Sequence, residues 1–376
     1  MITQSFELVT EIDNYASIHL TRKWHGIDEL DIEVNRHIRG ANELLRGRIV
    51  IVGSALHKAF LIRHREIALD ENGKQSENWR IRALGLKSLM AQLLTIPPAG
   101  FSQDSVKTNA ETALKHYVDV NAINPIDTSR ALGNIVIAPN LGRGPIVEWQ
   151  SRNKNLADEL EAISKLTGIG WNIWVDYDNK TCVFDVAEGR DLRSTQTENP
   201  PVIFAPHFNS ILSMEYVESD VNYRSFAVVA GAGEGADRRI VTVGGGSGWN
   251  RHEVFIDARD IQEEDDDGIP IPEAQVIAKL TERGHQKLAE YQAEQYLTSQ
   301  ILTKSPFIYE RDYDLGDIVT IRNEDWGIAM DSRITEITES YSKEGVELSA
   351  TFGFARPTFE DIYRQDFAEI NTELRK

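Results

Sequence analysis

The 376-residue chain holds a single cysteine, Cys182. One thiol excludes an internal disulfide framework and any zinc site built from several cysteines. It stands in the alternating run 181–186, where a small buried hydrophobe is the expected role. Long apolar runs are missing as well. No window reaches the roughly 18 uninterrupted apolar residues of a membrane span, so membrane insertion is not expected. The opening residues, MITQSFELVTEIDNY, offer neither a basic stretch nor an apolar core, and a secretory leader is not expected. Positive charge is scarce: 40 Lys and Arg stand against 59 Asp and Glu, a formal net charge of −19. Such a surface repels phosphate backbones, so specific nucleic-acid binding is not expected. The basic clusters at 36–48 and 63–82 alternate with apolar residues and read as solvated strand faces. The nine histidines form no H-E-x-x-H pair, and no phosphate-loop lysine follows a glycine run. No metal or other cofactor is expected.

What is present is an ordinary folded composition, 41% hydrophobic and 26% charged. The length suits about two to four domains. Residues 1–98 read as an N-terminal β domain, with alternation over 15–24, 27–35, 48–52, 60–68 and 79–84. Asn72-Gly73 supplies the turn of a hairpin tip at 70–74. A short helix carrying Leu86, Leu89, Met90, Leu93 and Leu94 closes this domain before Pro97-Pro98. Residues 99–200 mix helix and strand. Thr108 and Glu111 fit a capping box ahead of Ala110, Ala113, Leu114, Tyr117 and Val118. A second helix carries Leu156, Leu160, Ile163 and Leu166, with Gly168 at its left-handed end, and strands at 170–175 and 181–186 follow. Residues 201–355 return to β structure, interrupted by a long helix over 272–300. Gly284 in mid-helix points to a close approach of another backbone. The tail, 356–376, forms an amphipathic helix with Phe359, Tyr363, Phe367, Ile370 and Leu374 on one face. Phe359, Tyr363 and Phe367 are the candidate interface residues, whether against their own domain or a partner.

Several stretches resemble chemistry without completing it. Gly231, Gly233 and Ala236 match G-x-G-x-x-A after the strand-like run 225–230. A dinucleotide site needs a helix next, whose free N–H groups hold the pyrophosphate. Here the β-branched run 239–243 follows, then Gly244-Gly245-Gly246, so the glycines serve a strand–turn–strand unit. Ser247 misses the G-x-S-x-G elbow because Trp249 holds its fifth position. The acidic run 263–268 would place Ala274 where a calcium loop requires a bidentate glutamate, so it reads as a solvated loop. Asp257 and Asp260 flank Arg259 and could be argued into an acid–base pair, but such pairing at a strand end is usually structural. No catalytic set emerges.

Scattered short pieces carry a stronger signal. They are Arg22-Lys23-Trp24-His25-Gly26-Ile27, Leu45-Arg46-Gly47-Arg48-Ile49-Val50, 83–89, Gly168-Ile169-Gly170-Trp171 and Glu188-Gly189-Arg190-Asp191. Further on come 231–235, Asp257-Ala258-Arg259-Asp260, 314–319 and Arg333-Ile334-Thr335-Glu336. In order and spacing the chain resembles the siphovirus ReqiPepy-type tail proteins of long-tailed phages and prophages, related to the baseplate hub. It departs from the pattern at Leu192, where an arginine is expected. The resemblance implies an α+β, β-rich multidomain fold: two tube-like β domains flanking a smaller αβ domain, plus the C-terminal helix. It further implies a homotrimer at the virion tail tip, made in the bacterial host cytoplasm. Its partners would be the tail tube or distal tail protein on one side and fibre, spike or receptor-binding proteins on the other. DNA would pass through without specific binding. Peptidoglycan-cutting or receptor-binding modules that extend some relatives would reside in a separate protein. Two competing readings remain. A host-receptor or carbohydrate-binding tail protein would line a groove with Trp149, Trp171, Trp174 and Trp249. A tail-associated hydrolase would depend on Asp257 and Asp260.

Overall fold

The computed structural model describes residues 1–69, 73, 76–264, 269–291, 293–302 and 305–353. The hairpin tip at 70–74 apart from Gly73, the centre of the acidic run, and the terminal helix with Phe359, Tyr363 and Phe367 lie outside the described residues. The chain divides into two compact units. One gathers Met1–Pro97, Gln103–Glu215 and Leu297–Gly353; the other contains Pro98–Ser102 and Tyr216–Tyr296.

In the first unit the alternation of the opening residues becomes β1 (Ser17–Lys23), β2 (Glu29–Asn35), β3 (Ile49–Ile51), β4 (Ala59–Glu66) and β5 (Asn78–Gly85). The strand period of two puts Leu20, Leu30, Ile32, Val34, Phe60, Ile62, Ile81 and Ala83 into one core. The opposite face carries His19, Asp31 and Arg82, which stay exposed. A 3-10 helix at Leu86–Gln92 then buries Leu86 and Met90.

The middle of the chain supplies β6 (Asp104–Asn109), α1 (Ala110–Val118), β7 (Ile135–Ile137), β8 (Ile146–Ser151), α2 (Leu156–Thr167), β9 (Gly170–Asp176) and β10 (Thr181–Ala187). α1 buries Ala110, Ala113, Leu114, Tyr117 and Val118, as its spacing predicts. Its cap is Asn109 rather than Thr108, because β6 runs to Asn109, whose extended backbone lets its side chain accept from Thr112 N. α2 begins on Asn155 and ends on Gly168, whose φ of 75° satisfies the left-handed cap. Leu156, Leu160 and Ile163 are buried, but Leu166 in the last turn is exposed. β9 and β10 pair antiparallel, as expected.

Two short strands, β11 (Asp191–Leu192) and β12 (Ile203–Phe204), precede β13 (Ile211–Ser219). The second unit then forms β14 (Phe226–Ala230), β15 (Ile240–Gly244), β16 (Glu253–Asp257) and α3 (Glu273–Glu290). β15 lies antiparallel and β16 parallel to β14. The glycines act as turn formers: Gly233 has φ 101° and Gly244 φ 93°. Only a three-residue 3-10 turn stands where a nucleotide site needs a helix. α3 is shorter than the expected 272–300. Its chain leaves helical geometry at Tyr291, and Glu294–Ile301 becomes β17, with Tyr296, Leu297, Ser299 and Ile301 buried. Pairing into a sheet outweighs a helical pattern that Tyr, Leu, Thr and Ile support weakly. Gly284 does mark a close approach, but to side chains. A Cβ there would stand 2.7 Å from Val243 Cγ2 and 2.9 Å from Val229 Cγ2.

The described residues end with β18 (Ile318–Asn323), β19 (Ile328–Ser342) and β20 (Gly345–Gly353). Beyond the antiparallel run of the opening strands, β19 joins β1, from Ser17 opposite Ser342 to Lys23 opposite Glu336. The order β13-β17-β20-β19-β1-β2-β5-β4-β3 therefore brings strands from 17–85 and from 294–353 into one sheet.

Candidate functional site

Six of the short signature pieces, 22–27, 83–89, 168–171, 188–191, 314–319 and 333–336, come together at the end of β1. Trp24 is 6% exposed, and its indole N–H donates to Gly168 O at 3.0 Å. Glycine is required around the ring. A Cβ on Gly170 would fall 2.4 Å from Trp24 Cε2, and one on Gly316 would fall 2.1 Å from Cζ3. Gly316 also has φ 92°, a region that side chains rarely enter. The Arg333 guanidinium sits 5.4 Å from the ring centroid and donates to Glu188 O at 2.6 Å and to Gly316 O at 2.5 Å. Beside it, Trp171 Nε1 donates to His25 O at 2.7 Å. Buried indoles need such partners, so these bonds fix both rings.

Ion pairs surround this junction. Asp317 accepts from Arg190 N at 2.8 Å, from Arg190 Nη2 at 2.6 Å and from Asp314 N at 2.8 Å. Arg22 donates to Asp314 Oδ1 at 2.8 Å and to the Tyr309 hydroxyl at 2.6 Å. Lys58 bridges Glu310 at 2.9 Å and Glu339 at 2.7 Å. Hydrogen bonding from His57, followed by Lys58, holds the Glu310 carboxyl down to about 2. Lys87 is buried and donates to Lys23 O, Gly26 O and Asp28. Burial, then the charges of Lys165, Arg333 and Lys87, pushes His25 down to about 3. These groups are paired with one another. The arrangement locks distant segments in place, as buried pairs with full hydrogen bonding do.

The residues singled out for chemistry are equally committed. Asp257 lies between Arg238 at 2.5 Å and Arg259 at 2.7 Å, and Arg259 leads in holding it below the usual carboxylate range. Asp260 pairs with Arg283 at 3.0 Å. Cys182 is buried on β10, and burial pushes its thiol up to about 11. The four tryptophans do not share a groove: Trp149 and Trp171 are buried, Trp174 is half-buried, and Trp249 alone is fully exposed. Among the described residues no group of three or more His, Cys, Asp or Glu is placed to hold a metal. Among them, too, no helix is long and apolar enough to cross a membrane.

Sequence reasoning missed two clusters. One is the Lys58–Glu310–Glu339 group. The other joins Glu111 to Lys115 at 2.6 Å and to Arg143 at 2.9 Å, with Asp185 bonded to both cations. Only the Glu111–Lys115 spacing of four left a trace in the sequence.

A family described as siphovirus ReqiPepy6 Gp37-like protein matches residues 1–354. The chain belongs to this family. It is a phage tail-protein family, and the pieces that meet around Trp24 are among those that carried the resemblance. Among solved structures, the 43 kDa tail protein of prophage MuSo2 from Shewanella oneidensis aligns at TM-score 0.55 and 10% identity. The alignment covers 90% of this chain and 94% of that one. The prophage tail protein gp18 from Listeria monocytogenes aligns at TM-score 0.48 and 12% identity, covering 97% and 96% of the two chains. A tail protein from Neisseria meningitidis gives TM-score 0.47 at 13% identity, over 90% and 92%. The comparison with curated proteins gives no match.

Proposed function

We propose that this chain is a structural component of a long-tailed phage or prophage tail tip. In this reading it is a trimeric baseplate hub. It joins the tail tube to distal fibre, spike or receptor-binding proteins and leaves a channel for DNA. The observation that carries the reading is the family match over residues 1–354. The first and last β segments supply the two tube-like β domains, the middle segment the smaller αβ domain, and Phe359, Tyr363 and Phe367 a contact for the subunit or its partner. A net charge of −19 per subunit suits a wall along which DNA slides without releasing counterions. The role is structural and not catalytic. Carboxylates such as Asp257, Asp260 and Asp317 are each paired with an arginine, which suits a structural role. Light scattering with negative-stain microscopy tests this. A threefold ring with an open lumen, at three times 42.4 kDa, is the expected result. A monomer both alone and with the cognate tube protein would overturn the hub.

A further inference from the structure

One signature piece, Arg46-Gly47-Arg48, stands apart from the Trp24 junction. It lines an open polar groove with Thr3, Gln4, Ser5 and Asn134. No carboxylate lines it, although the chain carries 59 acidic residues. Three segments remote in sequence build its walls, and each is pinned. Phe6, buried at φ 61°, folds the opening residues so that its N–H meets Thr3 O at 3.0 Å. Gly47, at φ 84°, turns the second wall and donates to Ile62 O at 2.9 Å. The Gln4 amide then reaches Gly47 O at 3.0 Å, and the Asn134 amide reaches Gln4 O at 3.3 Å. These bonds cross-link the walls before any ligand arrives.

The groove carries two guanidinium groups and two hydroxyls. Thr3 Oγ1 and Ser5 Oγ lie 2.9 Å apart, and Thr3 Oγ1 also accepts from Glu7 N at 3.1 Å. Whichever hydroxyl donates within the pair, the other keeps an O–H to offer outward. Arg48 is half committed, reaching Glu43 Oε2 at 2.5 Å and Glu43 O at 2.7 Å. The exposed Arg46 guanidinium makes no ion pair among the described residues. The unpaired Arg46 guanidinium, the part of Arg48 that Glu43 leaves uncommitted and a spare hydroxyl, on a cross-linked frame, are the kinds of donor that the oxygens of a tetrahedral oxyanion take.

We propose that this groove is a phosphate-binding site, taking the group either free or within a phosphodiester. The proposal does not depend on the hub reading. Calorimetric titration of the full chain at low ionic strength tests it with three probes: inorganic phosphate, glycerophosphoglycerol and acetate. Saturable binding of phosphate or of the diester, with acetate at least about tenfold weaker, is expected. Preference between the first two tells free phosphate from a phosphodiester source. R46A should weaken binding about tenfold, and S5A less, while E43Q should tighten it by releasing Arg48. R82A, at an arginine whose side chain is 77% exposed on β5, should change nothing. No saturable binding would overturn the proposal, and so would an equal loss in R82A and R46A, which would mark diffuse counterion attraction.

Discussion

The two compact units hold themselves together by different means. Around Trp24 in the first unit, an aromatic ring is enclosed by glycines and by a layer of ion pairs drawn from segments about three hundred residues apart. In the second unit α3 packs Val276, Leu280 and Leu288 on a small sheet lined with Ala227, Val229 and Val243, and its ion pairs lie nearer the surface. The first kind of packing depends on shape and charge being satisfied together. The second depends on apolar contact and tolerates change at its rim.

The largest expected break falls at the ring itself. Trp24→Ala should cost about 4 kcal/mol, since it empties a closed site and strands the Gly168 carbonyl. Denaturant unfolding measures the loss, and hydrogen exchange should show α3 amides little changed. Asp317→Ala comes next, at about 2–3 kcal/mol, because it removes the acceptor of three Arg190 donors and of Asp314 N. An effect below about 0.5 kcal/mol would show that the pair is ornamental.

Acid should separate the two regions. His25 has its folded-state value pushed below the unfolded 6.5 to about 3, and Glu310 is pushed below 4.5 to about 2. In both cases the folded state binds protons less readily than the unfolded state. Their stabilisation is complete above the unfolded values and is lost as pH falls through about 6.5 to 2. Melting curves between pH 7 and pH 3 should therefore fall by several kcal/mol, most of it from buried His25 and less from the partly exposed Glu310, and His25→Asn should flatten the upper part of the decline.

Gly284→Ala sharpens the view of the second unit. Alanine gains about 1 kcal/mol of helix propensity, but its methyl meets two valines under 3 Å away. A net loss of about 1 kcal/mol is expected, with recovery in the Gly284→Ala, Val243→Ala pair. The smallest effect belongs to Trp249→Ala. The side chain is fully exposed, so stability should move by less than about 0.5 kcal/mol, and a larger loss would contradict the placement of that loop.

Local patterns in the sequence were enough for most elements. Alternation located β1 to β5, and helical spacing located α1 and α2, because each buries one face whose period is written in consecutive residues. Gly168 showed as a helix end for the same reason: its left-handed backbone is a local need. The errors arose where distant partners decided. Thr108 lost the cap to Asn109 once β6 paired with β8, and residues 294–301 became a strand because neighbours were waiting in the sheet. Trp24, Gly170, Gly189, Gly316 and Arg333 could be read as signature residues but not as one site. What the sequence determined alone was most of the elements, the family and the acidic charge. Only the tertiary structure placed β19 beside β1 and closed the glycines around Trp24. A strand's period names its buried face but not its partner, and partner choice is set by packing between residues that the sequence holds far apart.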